Sequence, residues 1–97
     1  MTKKELAAKL AHRIDGLSTV RALEVVNAIF DASGDGLIPT ALEQGEKVTI
    51  PGFGTFYTHH RDARTGVDPS TGQRKTVPPR TYVKFKVGKT LKERILA

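Results

Sequence analysis

The chain has 97 residues, of which 38% are hydrophobic and 27% charged, with a formal net charge of +6 and no cysteine. A chain this short builds one domain with a small core. Without disulfides, thiolate chemistry or cysteine zinc sites, subunit association is the expected means of stabilising it. No apolar run reaches membrane-spanning length, and the opening MTKKELAAKL alternates charge with apolar side chains, so a soluble, cytoplasmic protein of a reducing compartment is expected, with no membrane partner.

Thr2 and Glu5 have the spacing of a capping box, and Leu6, Leu10 and Ile14 recur at helical intervals up to the stop at Asp15-Gly16. Ser18 is suited to cap a second helix, whose Val20, Leu23, Val26, Ile29 and Phe30 share a side. The two make a helical hairpin. DASGDGLIP (31–39) then breaks the pattern with two glycines and a proline, and Leu37, Ile38, Ala41 and Leu42 resume it as far as Gly45, which predicts an interrupted second helix.

From Lys47 the period changes. KVTI reads as a strand, PGFG as a turn, and TFYTHHR as a second strand paired back on the first. TYVKFKV (81–87) alternates Tyr82, Lys84 and Lys86 with Val83, Phe85 and Val87, giving one basic and one apolar face. KTLKERILA closes the chain as a short helix. The expected class is therefore α+β, with a helical hairpin, a three-stranded antiparallel sheet and a C-terminal helix.

Between the last two strands lies RTGVDPSTGQRKTVPPR (64–80), which has no apolar run to bury. Thr65-Gly66 and Ser70-Thr71-Gly72 carry turn chemistry, Asp68-Pro69 favours turn initiation, and Pro78-Pro79 denies a continuous strand ladder. Residues 61–80 thus read as a protruding two-stranded arm with a proline at its tip. Charge follows the same division. Six basic and seven acidic side chains precede Tyr57, whereas ten basic and three acidic follow from there on, so the second part of the chain seeks a polyanion.

Other motifs are weaker. Gly88-Lys89-Thr90 resembles the end of a phosphate-binding loop, but Val83 stands where that loop needs its first glycine. Asp31, Ser33 and Asp35 match the start of a calcium loop, yet its twelfth position is Leu42 and Glu43 comes one residue late. His59 and His60 are adjacent on a strand and point to opposite faces, so they cannot share one metal; one is expected at a surface contact and the other partly buried. No nucleophile or paired-carboxylate constellation supports an enzyme, and no cofactor, metal or small-molecule substrate is expected.

IPGFGTF (50–56), RTG (64–66), DPSTG (68–72) and FKVGKTLK (85–92), in this order, resemble the bacterial HU and integration host factor (IHF) family of DNA-bending proteins over essentially the whole chain. The resemblance implies an intertwined dimer with a helical base (1–45), saddle strands (46–60 and 81–88), a DNA-binding arm (61–80) and a C-terminal helix (89–97). It implies double-stranded DNA as partner, gripped in the minor groove and bent by a nucleoid-associated homodimer without strong sequence preference. Pro69 is then the wedge between base pairs. Arg61, Arg64, Arg74, Lys75 and Arg80 are cations of the arm, Lys84, Lys86 and Lys89 cations of the saddle and its edge, and Phe30, Phe53, Phe56 and Phe85 the dimer core. Two other readings stay open: one subunit of a sequence-preferring heterodimer, and a basic arm that grips RNA or an acidic protein. Two departures from the family pattern stand out. Asp31–Ile38 lengthens a region where the family has one continuous helix, and Val67 occupies a position near the tip that is often basic, which implies a less electrostatic tip.

Overall fold

In the computed structural model, which describes residues 1–96, the capping signals act where they are read. Thr2 starts α1 (Lys3–Arg13) by accepting the Glu5 N–H on its hydroxyl at 3.2 Å, one of the two bonds of the expected box. Ser18 starts α2 (Thr19–Phe30) in the same way, accepting from the Arg21 N–H at 3.1 Å. Helix α1 stops before its apolar spacing does. Ile14 is its C-cap, 47% exposed, and Gly16 turns the chain at φ +80.

The chain forms two compact units, Met1–Gln44 and the part from Gly45 onward. In the first, α1 and α2 meet through Ala7, Ala22 and Val26, with Leu10, Ala11, Leu17 and Leu23 around them. Among the described residues these three are the only buried hydrophobic side chains. Full burial of a valine contributes ~1.5–3 kcal/mol, whereas ordering a backbone residue costs ~1–2 kcal/mol. So small a core does not hold a chain of this length alone.

Helix α2 ends at Phe30 because the next residues build a turn. Asp31 Oδ1 accepts the Ser33 N–H at 3.1 Å and the Ser33 hydroxyl at 2.9 Å, and the Gly36 N–H returns to the Asp31 carbonyl at 3.1 Å. Helix α3 (Leu37–Glu43) follows. Pro39 sits in its first turn, where the missing N–H leaves no intrahelical bond unmade, and Gly45 leaves it at φ +78. The second helix is thus two helices, as the apolar spacing implies.

The second unit holds β1 (Val48–Ile50), β2 (Gly54–Arg61) and β5 (Arg80–Val87), an antiparallel sheet in the order β1-β2-β5. Pairing of β2 with β5 runs from Gly54↔Val87 to Arg61↔Arg80. A separate ribbon, β3 (Arg64–Val67) with β4 (Arg74–Val77), pairs from Arg64↔Val77 to Val67↔Arg74. The same register continues from sheet to ribbon, setting Asp62 opposite Pro79 and Ala63 opposite Pro78. Neither proline can donate to a ladder, so pairing lapses there and resumes in phase.

Helix α4 (Lys89–Leu96) is held by the Pro51-Gly52-Phe53 turn. The Gly88 N–H donates to the Phe53 carbonyl at 2.8 Å and the Leu91 N–H to the Gly52 carbonyl at 3.0 Å, which satisfies one of the free amides of the α4 first turn. The approach is close: a Cβ on Gly88 would lie 3.0 Å from backbone carbons of Gly52 and Phe53.

Candidate nucleic-acid interface

Alternation along β2 and β5 divides the sheet by chemistry. Across the β2–β5 rungs Thr55 faces Lys86, Tyr57 faces Lys84, His59 faces Tyr82 and Arg61 faces Arg80, all on one side. The other side carries Phe56 opposite Phe85, Thr58 opposite Val83 and, through β1, Val48 opposite Phe56. One face is therefore cationic and hydroxyl-rich, the other apolar.

The cationic face collects four of the expected site residues: Arg61, Arg80, Lys84 and Lys86. Arg61 and Arg80 are read from sequence as part of the arm. The structure instead makes them the last rung of the sheet, because the ladder fails only at Pro79. Like charges placed directly opposite each other repel, so this rung favours an anion between its guanidinium groups. Lys89 lies beyond the strand at the start of α4, 3.9 Å from Glu93, and lines a recess with Thr49, Thr55 and Lys86.

Beyond the gap the ribbon is exposed throughout. Arg64 and Lys75 share one of its faces with Gly66 and Val77, while Arg74 shares the other with Val67. Pro69 stands exposed at the tip, in a loop closed by its neighbours. The Asp68 N–H donates to the Gln73 carbonyl at 2.8 Å, the Gly72 N–H donates to the Asp68 carbonyl at 2.7 Å, and Gly72 turns at φ +70. The Asp68 carboxylate accepts the Ser70 N–H at 2.9 Å and the Ser70 hydroxyl at 2.7 Å, and lies 3.7 Å from the Lys75 ammonium. These bonds, the Ser70 hydroxyl above all, hold the Asp68 carboxyl below its ordinary value. The same bonds close the loop that carries Pro69 and narrow the conformations open to it.

On the apolar face the Phe85 ring lies 4.7 Å from Phe56 and 5.7 Å from Phe53, centroid to centroid. Phe53 reaches this cluster from the turn rather than from a strand. Much of the cluster is open to solvent: Phe53 is 45% exposed, Phe85 44% and Val83 67%. Phe30, the fourth expected core aromatic, belongs to the helical unit and is 47% exposed there.

The histidine pair departs from expectation, since His59 and His60 are both exposed and neither is partly buried. His60 has Nδ1 3.0 Å from the Thr81 hydroxyl and Nε2 3.3 Å from Asp62, and its side chain is 57% exposed. Sequence reasoning also misses two members of the cationic face, Lys47 and Tyr57, which line one recess with Thr49, Thr55 and Lys86. Parity with Thr49 points to Lys47. Tyr82, expected on that face, has both the Arg61 and the Arg80 guanidinium carbon 6.0 Å from its ring centroid, a convergence that the alternation alone does not state.

Among the described residues no helix is long and apolar enough to cross a membrane. The family model described as bacterial DNA-binding protein matches residues 1–96. DNA-binding protein HU-alpha of Pseudomonas aeruginosa is 42% identical over 95 residues, covering 98% of this chain and 99% of that one. Integration host factor subunit alpha of Stenotrophomonas maltophilia is 40% identical over 97 residues, covering 100% and 92%. Among solved structures, an Anabaena HU–DNA cocrystal structure superposes with a TM-score of 0.74 at 30% identity, covering 98% of this chain and 97% of that one. With the capped helices, the divided sheet and the arm all in place, the chain belongs to the bacterial DNA-binding protein family that includes HU and the integration host factor subunits.

Proposed function

We propose that this protein is an architectural, nucleoid-associated binder of double-stranded DNA that works as a homodimer and bends the duplex through the minor groove without strong sequence preference. The observation that carries the reading is the division of one small sheet into a cationic face and an uncovered apolar face, with an exposed basic ribbon rising from its end. The apolar face around Phe53, Phe56 and Phe85 is the kind of patch a monomer does not leave in water. A second copy supplies its cover, and Phe30, exposed on the helical unit, is a further residue of the dimer core in this reading. Binding fits the family, and the likeness of the fold to an HU–DNA complex supports it.

In this reading the cations of the face and arm neutralise phosphates and release counterions, which favours binding without reading bases. Pro69, a rigid ring in the closed loop, enters a base step. Unstacking costs on the order of a few kcal/mol per step, and the wider protein surface that a bent duplex wraps offsets it. The test is end-to-end energy transfer on a doubly labelled duplex, titrated at fixed salt with the wild type and with Pro69→Ala. The expected result is a shortened distance with the wild type and binding with a smaller bend for Pro69→Ala. A duplex bound with no change in distance would overturn the bending, and RNA or an acidic protein displacing DNA at moderate salt would overturn the choice of partner. Strongly unequal affinities for unrelated duplexes would instead favour a selective, heterodimeric complex.

A further inference from the structure

Tyr82 is neither a cation nor a core residue, yet it occupies the centre of the arm root. It is diagonal to Arg61 across the β2–β5 ladder and two residues from Arg80 along β5, so all three side chains share the cationic face. Both guanidinium carbons lie 6.0 Å from the Tyr82 ring centroid. Beside them is a shallow recess of about 300 Å³ lined by Arg61, Tyr82 and Lys84. The two arginines repel across their rung and no acidic side chain lies among the four residues of this cluster. What restrains two long, exposed, like-charged side chains at this point is the aromatic ring they share.

Resting on the DNA-binding reading, we infer that Tyr82 is a positioning residue: its ring holds Arg61 and Arg80 convergent on one backbone phosphate at the arm root, where Lys84 completes the anion site. The chemistry follows from the side chains. A guanidinium resting over the face of a ring keeps its in-plane N–H groups free for phosphate oxygens, and a ring in reach of both arginines narrows the orientations each can take. Water and salt screen the repulsion across this exposed rung, and the ring or an anion lowers it further. A bound phosphate relieves it directly, so the pair is poised for a ligand without being spent on an internal ion pair.

The experiment has two parts. In the free protein, the side-chain Hε resonances of Arg61 and Arg80 are measured in the wild type, Tyr82→Phe and Tyr82→Leu. Ring-current shifts present in the wild type and in Tyr82→Phe but lost in Tyr82→Leu are expected; identical shifts in all three overturn the inference. Duplex affinity is then measured for the same proteins and on an Arg61→Ala, Arg80→Ala background. An exposed cation–π contact is worth roughly a two- to fivefold change in an equilibrium. Tyr82→Leu should therefore weaken binding roughly fivefold, Tyr82→Phe should stay within about twofold, and the leucine change should have little effect once both arginines are gone. Equal losses on both backgrounds would mean that the ring supports the fold or touches DNA by itself, and would overturn the inference alone. A wild type that binds no duplex overturns the DNA reading and this inference with it.

Discussion

Gly54 and Gly66 receive opposite forecasts for the same substitution. Gly54 opens β2 opposite Val87, where a Cβ would lie 2.5 Å from Cζ of Phe85 and 2.6 Å from the Lys86 carbonyl oxygen. The optimal carbon–carbon separation is ~3.5–4.0 Å, so the ring would have to move by about 1 Å. Its packing against Phe53 and Phe56 resists that shift, and the Lys86 carbonyl is backbone of the neighbouring strand β5, which cannot give way without disturbing the ladder. Overpacking of this kind costs ~1–3 kcal/mol, with backbone against backbone at the upper end. At ~4–8 °C per kcal/mol for a domain of this size, Gly54→Ala should lower Tm by roughly 10 °C or more. Gly66, in the arm, has nothing within 4 Å of its Cβ position and no positive φ. Gly66→Ala should be neutral or stabilise by at most ~1 kcal/mol through the unfolded chain. Thermal unfolding of both variants and the wild type, at one protein concentration because association shifts Tm, makes the comparison. Gly54→Ala melting within a degree or two of Gly66→Ala would refute the packing argument and with it the position of Phe85 over the start of β2.

Other perturbations follow from the arm. Val67→Arg adds a cation opposite Arg74; the slope of log affinity against log salt should steepen by about 0.9 per phosphate gained, and an unchanged slope would mean that this face of the ribbon does not meet the backbone. Asp68 is held below its ordinary value of 3.8 mainly by Ser70, so its contribution to tip closure is present above that value and is lost as pH falls through the depressed one. A carboxyl titration by NMR should show Ser70→Ala moving the midpoint upward toward 3.8; no movement would mean that the hydroxyl bond is absent in solution. Replacing Pro78 and Pro79 together by alanine restores two backbone donors opposite Ala63 and Asp62, and heteronuclear NOE values over residues 64–77 should rise as the ladder closes. Values that stay at wild-type level would show that the prolines do not limit the arm's motion.

Much of this arrangement is written locally. Thr2 and Ser18 cap helices because their hydroxyls reach N–H groups three residues on, and residues 31–36 break a helix because Asp31, Ser33 and Gly36 satisfy one another. The alternation of Tyr82, Lys84 and Lys86 with Val83, Phe85 and Val87 states the two faces of β5 outright. What stays hidden depends on pairing. The rung Arg61↔Arg80, and hence the convergence on Tyr82, exists only once the register is fixed, and the single chain pattern does not state which residue of β2 meets which of β5. The exposure of His60 is hidden for a related reason, since a strand residue is buried only if something lies over it.

The lapse in pairing at Pro78-Pro79 has a mechanical consequence. A ribbon bonded without a break would carry torque from its tip straight into the sheet, so any load on Pro69 would strain the rungs around Phe56 and Phe85. Two rungs without ladder bonds form a compliant joint that yields first. Because the register is the same on either side, yielding does not invite a slip, and each swing returns to one pairing. Length is uncoupled from the body in the same way: removing or adding whole rungs between Arg64↔Val77 and the tip changes the reach of the arm while leaving every partner in the sheet as it was.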